Sequence, residues 1–413
     1  MNGQRKRKGT VVLALLALGA WMACAFLAQS AAALSAGVAV RWAGEGQGVS
    51  PDQLGRALRY AREDGAGEVP ELTLWRERAG ETVRAGERSG SAKVLELCGS
   101  GADVWPAAFL EGYYPIPGDT GGCAVDRALA ETLWGTGRAV GNELRLGDRV
   151  LTVRGVFEGT EGLALAQGEP ASAEPYPNLL LRFSGGDAKA QAESFLTRNQ
   201  WGGGTMLDLP ILAWGLEALA GLPAFCLGVG ILLRLLRRGL GMTAAPLLLA
   251  GYTLPALAGA GVTLWAMGLS GVPGQLIPTR WSDFDFWARL VSGRVGELTN
   301  YLSLAPGARD LRYWPLVLGC GVLALAACAL TVLAAERSRA ETGRALLLGW
   351  GLCVGGTFAW ALAFAGAGGV AVGRSMWLLP PLWLACDWCL AAHRESLKPR
   401  GGEADGALEE ETV

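Results

Sequence analysis

One histidine, His393, stands in 413 residues, close to Arg394 and Lys398. A zinc site would therefore lack its commonest nitrogen ligand and a nucleophile-base pair its usual base, which disfavours most hydrolase mechanisms. The P-loop pattern G-x-x-x-x-G-K-[ST] does not occur, so the chain has no means of its own to cradle ATP in that way. Nor, despite 61 glycines, does any G-x-G-x-x-G follow a strand and open a helix in the dinucleotide-binding manner. An excess of one charge is missing too. With 36 basic and 38 acidic residues the net charge is −2, and nothing points to nucleic acid. These absences predict a chain that is not an enzyme, with no catalytic residues, no cofactor and no metal.

What is plentiful is apolar residues, 51% of the total. Six stretches are long enough to cross about 30 Å of hydrocarbon as helices: 10–33, 210–233, 244–269, 314–335, 345–365 and 371–392. The expected fold class is an α-helical integral membrane protein of about six transmembrane helices with an inserted extracytoplasmic α+β domain. Its parts are a basic N-terminus, 1–9; the first helix, 10–33; the inserted domain, 34–208; helices two and three, 209–269; an extracytoplasmic loop, 270–313; helices four to six, 314–392; and a polar, acidic tail, 393–413, whose composition fits disorder.

Basic residues flank the helices in four groups: Arg5 to Lys8; Arg234, Arg237 and Arg238; Arg337, Arg339 and Arg344; Arg394, Lys398 and Arg400. Placing all four in the cytoplasm gives a multi-pass plasma-membrane protein with both termini inside and both polar blocks outside. The arginines of 270–313 oppose this only weakly, because Asp283, Asp285, Glu297 and Asp310 accompany them. The basic start and the small residues Ala31–Ala33 also fit a cleaved signal peptide. The length of the apolar run favours an uncleaved anchor.

Within 34–208, Ser50-Pro-Asp-Gln opens a helix with an N-cap and Pro at its first position, and Leu54, Leu58 and Tyr60 are assigned to its inner side. Leu72–Arg76, Thr82–Arg84, Lys93–Leu97 and Asn178–Phe183 read as strands, 158–177 as a loop, and Asp187–Thr197 as a closing helix. The most informative stretch is Cys123-Ala-Val-Asp-Arg-Ala-Leu-Ala-Glu-Thr-Leu-Trp-Gly135, followed by Ala139–Gly147 and Leu151–Phe157. Val125 ends a buried strand, Leu129 and Leu133 share one helical face, and Gly135 stops the helix. Leu144, Leu146, Leu151, Val153 and Val156 then supply the apolar positions of two short strands.

This run resembles the extracytoplasmic core domain of MacB/FtsX-type ABC-transporter permeases, where a pattern sxxlAxxLfG…xvGxxlxlgxxxyxVxGV is usual. The resemblance lies mainly within 112–200. It implies a permease-like subunit that does no chemistry, a separate P-loop ATPase beneath it, and movement passed through stalk helices to the outer domain. Besides the lipid bilayer, the implied partner is a second copy of the chain or a second permease-like subunit. The first helix and the span from Pro210 would form the stalk, and Arg234, Arg237 and Arg238 would mark the ATPase-coupling loop. Family members usually have four transmembrane helices and a longer coupling segment, so this chain departs in both. The alternative is a membrane-anchored binding or scaffolding protein without ATPase coupling.

Other residues invite narrower readings. Cys98 and Cys123, the two cysteines of the exported block, fit a disulfide or, failing that, two buried thiols. Glu217 and Asp387 are acidic residues inside spans, candidates for a coupling role, for helix-helix hydrogen bonds or for simple snorkelling to an interface. Cys386 and Cys389 form a C-x-x-C on a membrane helix, where packing is the simpler account. Trp281, Phe284 and Trp287 line one side of a short helix capped by Ser282, placed to lie at the headgroup layer or to dock a partner. Glycines such as Gly228 and Gly230 allow close helix packing.

Overall fold

The N-cap expected at Ser50 forms, and the structure adds its reciprocal half: the Gln53 amide donates to Ser50 Oγ (3.2 Å) and the Ser50 amide to Gln53 Oε1 (2.9 Å). In this computed structural model the described residues are 2–44, 46–64, 69–240, 246–266, 272–278, 280, 283, 285–363 and 370–396. The chain divides into two units: a sheet unit of Ser30–Trp214 and Val272–Leu316, and a helical unit of Met1–Gln29, Gly215–Gly271 and Val317–Val413. The block read as a separate loop at 270–313 thus folds with the inserted domain.

The elements, in chain order, are α1 (Asn2–Ala33), β1 (Val38–Arg41), α2 (Pro51–Asp64), β2 (Glu71–Ala85), β3 (Arg88–Cys98), α3 (Gly101–Val104), β4 (Phe109–Gly112), β5 (Gly122–Asp126), α4 (Arg127–Trp134), β6 (Glu143–Leu146), β7 (Arg149–Phe157), β8 (Leu163–Gln167), β9 (Asn178–Arg182), α5 (Ala188–Arg198), β10 (Thr205–Asp208), α6 (Leu209–Ala220), α7 (Leu222–Leu240), α8 (Pro246–Ala266), α9 (Phe286–Leu302), α10 (Ala308–Arg337), α11 (Gly343–Ala363) and α12 (Val370–Ser396). The strands form one sheet in the order β10-β1-β9-β2-β3-β8-β5-β7-β4, with β6 pairing β2 and β7. The β3–β8 and β5–β7 pairs are parallel and the others antiparallel.

Two cores sit on this sheet. One gathers Val38, Leu74, Leu179 and Leu181 under Leu54 of α2 and Phe195 of α5. The other gathers Val94, Val125, Leu144, Val153 and Val156 under Leu129 and Leu133 of α4. β2 and β3 run through both. Their two short strand readings at 72–76 and 82–84 are one long strand, because a bulge between Arg78 and Glu81 absorbs the extra residue. Tyr60 is exposed rather than inward; two residues beyond Leu58, it points to the far side of α2.

The 123–157 run folds as read. β5 is buried throughout, Leu129 and Leu133 face the core, and Gly135 caps α4 in the left-handed region at φ 73°. Sequence reasoning missed what holds this unit to its neighbours. Asp126 is fully buried, and its carboxylate accepts from Leu129 N (2.8 Å) at the helix start, from Glu161 N (2.9 Å) and from Gly162 N (2.8 Å).

The Cys98–Cys123 bridge is not formed; both cysteines are free. Cys98 ends β3 and Cys123 lies in β5, with β8 hydrogen-bonded between them. Two strand spacings, about 9.6 Å, exceed the roughly 7 Å reach of a disulfide. Burial pushes the Cys123 thiol up to about 12 and that of Cys98 in the same direction.

In the helical unit, all six stretches read as spans contain helix. Among the described residues three helices are long and apolar enough to cross a membrane, Gly9–Ala33, Ala308–Arg337 and Gly343–Ala363, and the pair α6 and α7 makes a fourth if taken as one span, fewer than the six expected. That pair is bent by 49°, so 210–233 is not one straight helix. Pro223 lacks the N–H that would continue the ladder. The Ala220 carbonyl, at the end of α6, accepts from the Trp21 indole (2.8 Å), which meets the need for internal pairing in an apolar setting. Gly228 and Gly230 do let helices approach: a Cβ there would collide with Thr263 and with Trp383.

Candidate functional site

The sheet unit contains a buried charged joint built from strands β1, β2 and β9, helices α9 and α10, the connection between them and the end of α1. Arg41 on β1, 6% exposed, donates through Nε to Asn178 Oδ1 on β9 (2.8 Å) and through Nη1 to the Ala305 carbonyl (3.1 Å). Its Nη1 also pairs with Asp310 Oδ2 in the first turn of α10 at 2.5 Å. Its guanidinium lies 5.0 Å from the ring centre of Tyr301 on α9. The Tyr301 hydroxyl donates to Asp310 Oδ1 (3.1 Å), and the Gly307 amide to Asp310 Oδ2 (3.0 Å). Burial, then the Asp310 charge, pushes the Tyr301 phenol up to about 12, which keeps it a donor.

The start of α10 is held from β2. Glu77 accepts from the Ala308 amide with both carboxylate oxygens (2.7 and 2.9 Å), so an anion sits where the helix exposes unpaired N–H groups. Arg309, also buried, donates to the Leu34 carbonyl just beyond α1 and faces the Trp75 ring at 5.7 Å. Ser35 Oγ, bonded to the Ala31 carbonyl (2.8 Å), lies 3.3 Å from the Tyr313 hydroxyl. Two arginines and two carboxylates thereby tie α1, β1, β2, α9 and α10 together. No local pattern in the sequence marks this joint.

A second polar contact fixes α9 to the domain. Arg294 pairs with Asp208 (3.4 Å) at the end of β10, and Lys189 of α5 pairs with Glu297. Burial raises the Asp208 carboxyl above its ordinary 3.8, against the opposing pull of the Ile211 amide and Arg294. A carboxyl raised by folding binds its proton more tightly in the folded state, so its contribution to stability is lost as pH rises above 3.8. Asp208→Asn is expected to flatten that fall, read as the pH dependence of the unfolding midpoint. An unchanged slope would assign the fall elsewhere.

In the helical unit, two separately chosen candidates meet. Arg234 Nη1 pairs with Asp387 Oδ1 at 2.7 Å and lies 3.9 Å from the Trp383 ring centre. Asp387 Oδ2 accepts from the Ala340 amide (3.1 Å), so this carboxylate links α7, α12 and the α10–α11 connection. Arg234, Arg237 and Arg238 are not in a loop: the chain stays helical to Leu240, and all three lie in the last turns of α7. Cationic side chains near a helix C-terminus oppose its negative end. With Arg339 and Arg394 they line a cavity of 810 Å³, shared by the acidic Glu341, Asp387 and Glu395.

Glu217 is exposed on α6 and is brought to neither site. Trp287 is exposed at the start of α9, whereas Trp281, Ser282 and Phe284 lie outside the described residues. Cys386 packs at the edge of the helical core and Cys389 is exposed. Among the described residues no group of three or more His, Cys, Asp or Glu side chains gathers as a metal site.

No family profile matches this chain, and no curated protein matches it. Among solved structures, the chain is similar to the periplasmic region of MacB from Actinobacillus actinomycetemcomitans, at 10% identity over 44% of this chain and 91% of that one, with a TM-score of 0.35. It is also similar to the extracellular domain of the noncanonic ABC-type transporter YknZ from Gram-positive bacteria, at 12% identity over 41% of this chain and 99% of that one, with a TM-score of 0.31.

Proposed function

We propose that the chain is a non-catalytic, permease-like subunit of an ABC transporter of the MacB/FtsX type, with about six membrane passes, both termini cytoplasmic and the sheet unit outside. A separate P-loop ATPase supplies the energy, and movement of the helices is passed to the sheet unit. The observation that carries this reading is the joint. A helix long and apolar enough to span begins with its first amide held by Glu77 and its first side chains locked to β1 and to the end of α1. Such a buried, multiply bonded start transmits displacement instead of flexing. The strand–helix–strand run of 123–157 supports the same family reading, and the arginine-lined cavity supports docking of an acidic surface of the ATPase.

One observation favours the second reading, a membrane-anchored scaffold without ATPase coupling: only residues 241–245 separate α7 from α8, little chain from which to build a coupling element. Affinity purification of the tagged protein in mild detergent separates the two. The first reading predicts a stoichiometric P-loop ATPase whose recovery falls at least about tenfold in Arg237→Glu/Arg238→Glu, the scale of one lost interfacial charge contact. Recovery of envelope partners with no ATPase would leave the scaffold.

A further inference from the structure

Seven of the nine cysteines lie on the helices of the membrane-type unit, and four of them face one another in two pairs. Cys24 of α1 lies 3.7 Å, sulfur to sulfur, from Cys320 of α10, and it also points at the Cys320 carbonyl at 3.5 Å. The second pair is different. Cys226 of α7 and Cys328 of α10 stand 2.9 Å apart, sulfur to sulfur, although 102 residues separate them in the chain. That is within about 0.9 Å of a covalent S–S bond. Both thiols are half-buried, so a small permeant oxidant reaches them, whereas the Cys24–Cys320 pair is fully buried.

We propose that Cys226 and Cys328 form a reversible redox pair, a modification site that clamps α7 to α10 when a hydroperoxide is present. The proposal does not depend on whether an ATPase is coupled. In the first step one thiol sulfur attacks the peroxide: an S–O bond forms, the O–O bond breaks, and water leaves with the thiol proton. The second thiol then attacks the sulfenic sulfur: the S–S bond forms, the S–O bond breaks, and a second water leaves. Two thiols lose two electrons in all, and one hydrogen peroxide becomes two waters. Placing the resolving thiol in contact with the first favours this outcome over further oxidation. A dithiol reverses the bridge by exchange. The oxidised form fixes the bent segment after Gly221 against α10, while the reduced form leaves the two helices free to shift.

The test counts thiols in the full-length protein. In a variant retaining only Cys226 and Cys328, maleimide-polyethylene glycol added under denaturing conditions is expected to give two adducts per chain before hydrogen peroxide, none after it, and two again after dithiothreitol. Because removing seven cysteines can disturb folding, the wild-type protein is treated in parallel and digested with trypsin. The peptide holding Cys226 is then expected to be joined to the one holding Cys328, with the loss of two hydrogens. Retention of both adducts after peroxide in the variant, or absence of the joined peptide from the oxidised wild type, overturns the proposal. So does a loss of adducts that dithiothreitol cannot reverse, which would mean over-oxidation without a bridge.

Discussion

Asp310→Ala is expected to lower the stability of the sheet unit by about 3–5 kcal/mol, the cost of leaving a buried charge without its partner. The charge left behind is Arg41, 6% exposed, which would keep only Asn178 and the Ala305 carbonyl as acceptors. Tyr301 and the Gly307 amide would lose their acceptor as well. Arg41→Met should cost a similar amount from the other side. Joining the two, as Arg41→Met with Asp310→Leu, should recover most of the loss, since apolar pairs of like volume replace buried ion pairs at little cost. Urea unfolding followed by tryptophan fluorescence reads all four proteins. A shift below about 1 kcal/mol for Asp310→Ala, the range of exposed pairs, would show that the joint is not a buried tie. Transport, if the proposed function holds, should fail in Asp310→Ala before the unit unfolds, because the first turn of α10 would be released from β1.

The second large effect is expected at Asp126. Alanine there removes the cap of α4, worth about 1 kcal/mol, and breaks two further hydrogen bonds, part-buried and made to a charged acceptor, at about 1.5–3 kcal/mol each. A total of at least 3 kcal/mol is anticipated. Asp126→Asn separates the terms. It keeps an acceptor for the Leu129 amide but turns a donor toward Glu161 and Gly162, so the loop at 158–162 should loosen while α4 persists. Hydrogen exchange distinguishes the two variants: Leu129, Glu161 and Gly162 amides exchange quickly in the alanine protein, and only the last two in the asparagine protein. Unchanged protection at Glu161 and Gly162 would refute the role given to this carboxylate.

What could be read from the sequence was whatever local chemistry decides. The Ser50 cap, the spacing of Leu129 and Leu133, and Gly135 each act over one or two helical turns, and each is found where expected. β8 was hidden inside the stretch read as a loop, because Leu163–Gln167 is buried on both faces and so shows no alternation. β10 is only four residues long and was absorbed into the return to the helices. β2 was cut in two by the glycine that marks its bulge. The site was less legible still. Arg41 and Asp310 lie far apart in the chain, as do Arg234 and Asp387, and only tertiary pairing makes them partners. Individual charges at unusual depth were visible, as Asp387 was. Which cation answers each one was not, because a sequence carries no signal for contacts between distant segments beyond the residue types themselves.

The chain enters the sheet at Val38 and leaves it at Asp208, and these two residues face each other across the β1–β10 pair. An insert whose ends adjoin in this way would ordinarily be an exchangeable cassette, able to be moved between hosts or expressed alone. Here part of its surface is shared with a second block. Glu77, Arg41, Trp75 and Asp208 all take partners from residues 294–310. A soluble fragment cut at the ends of 34–208 would expose that surface, and a transplanted one would have to bring the second block with it. A substitution on either side of this shared surface therefore alters the fit of the other.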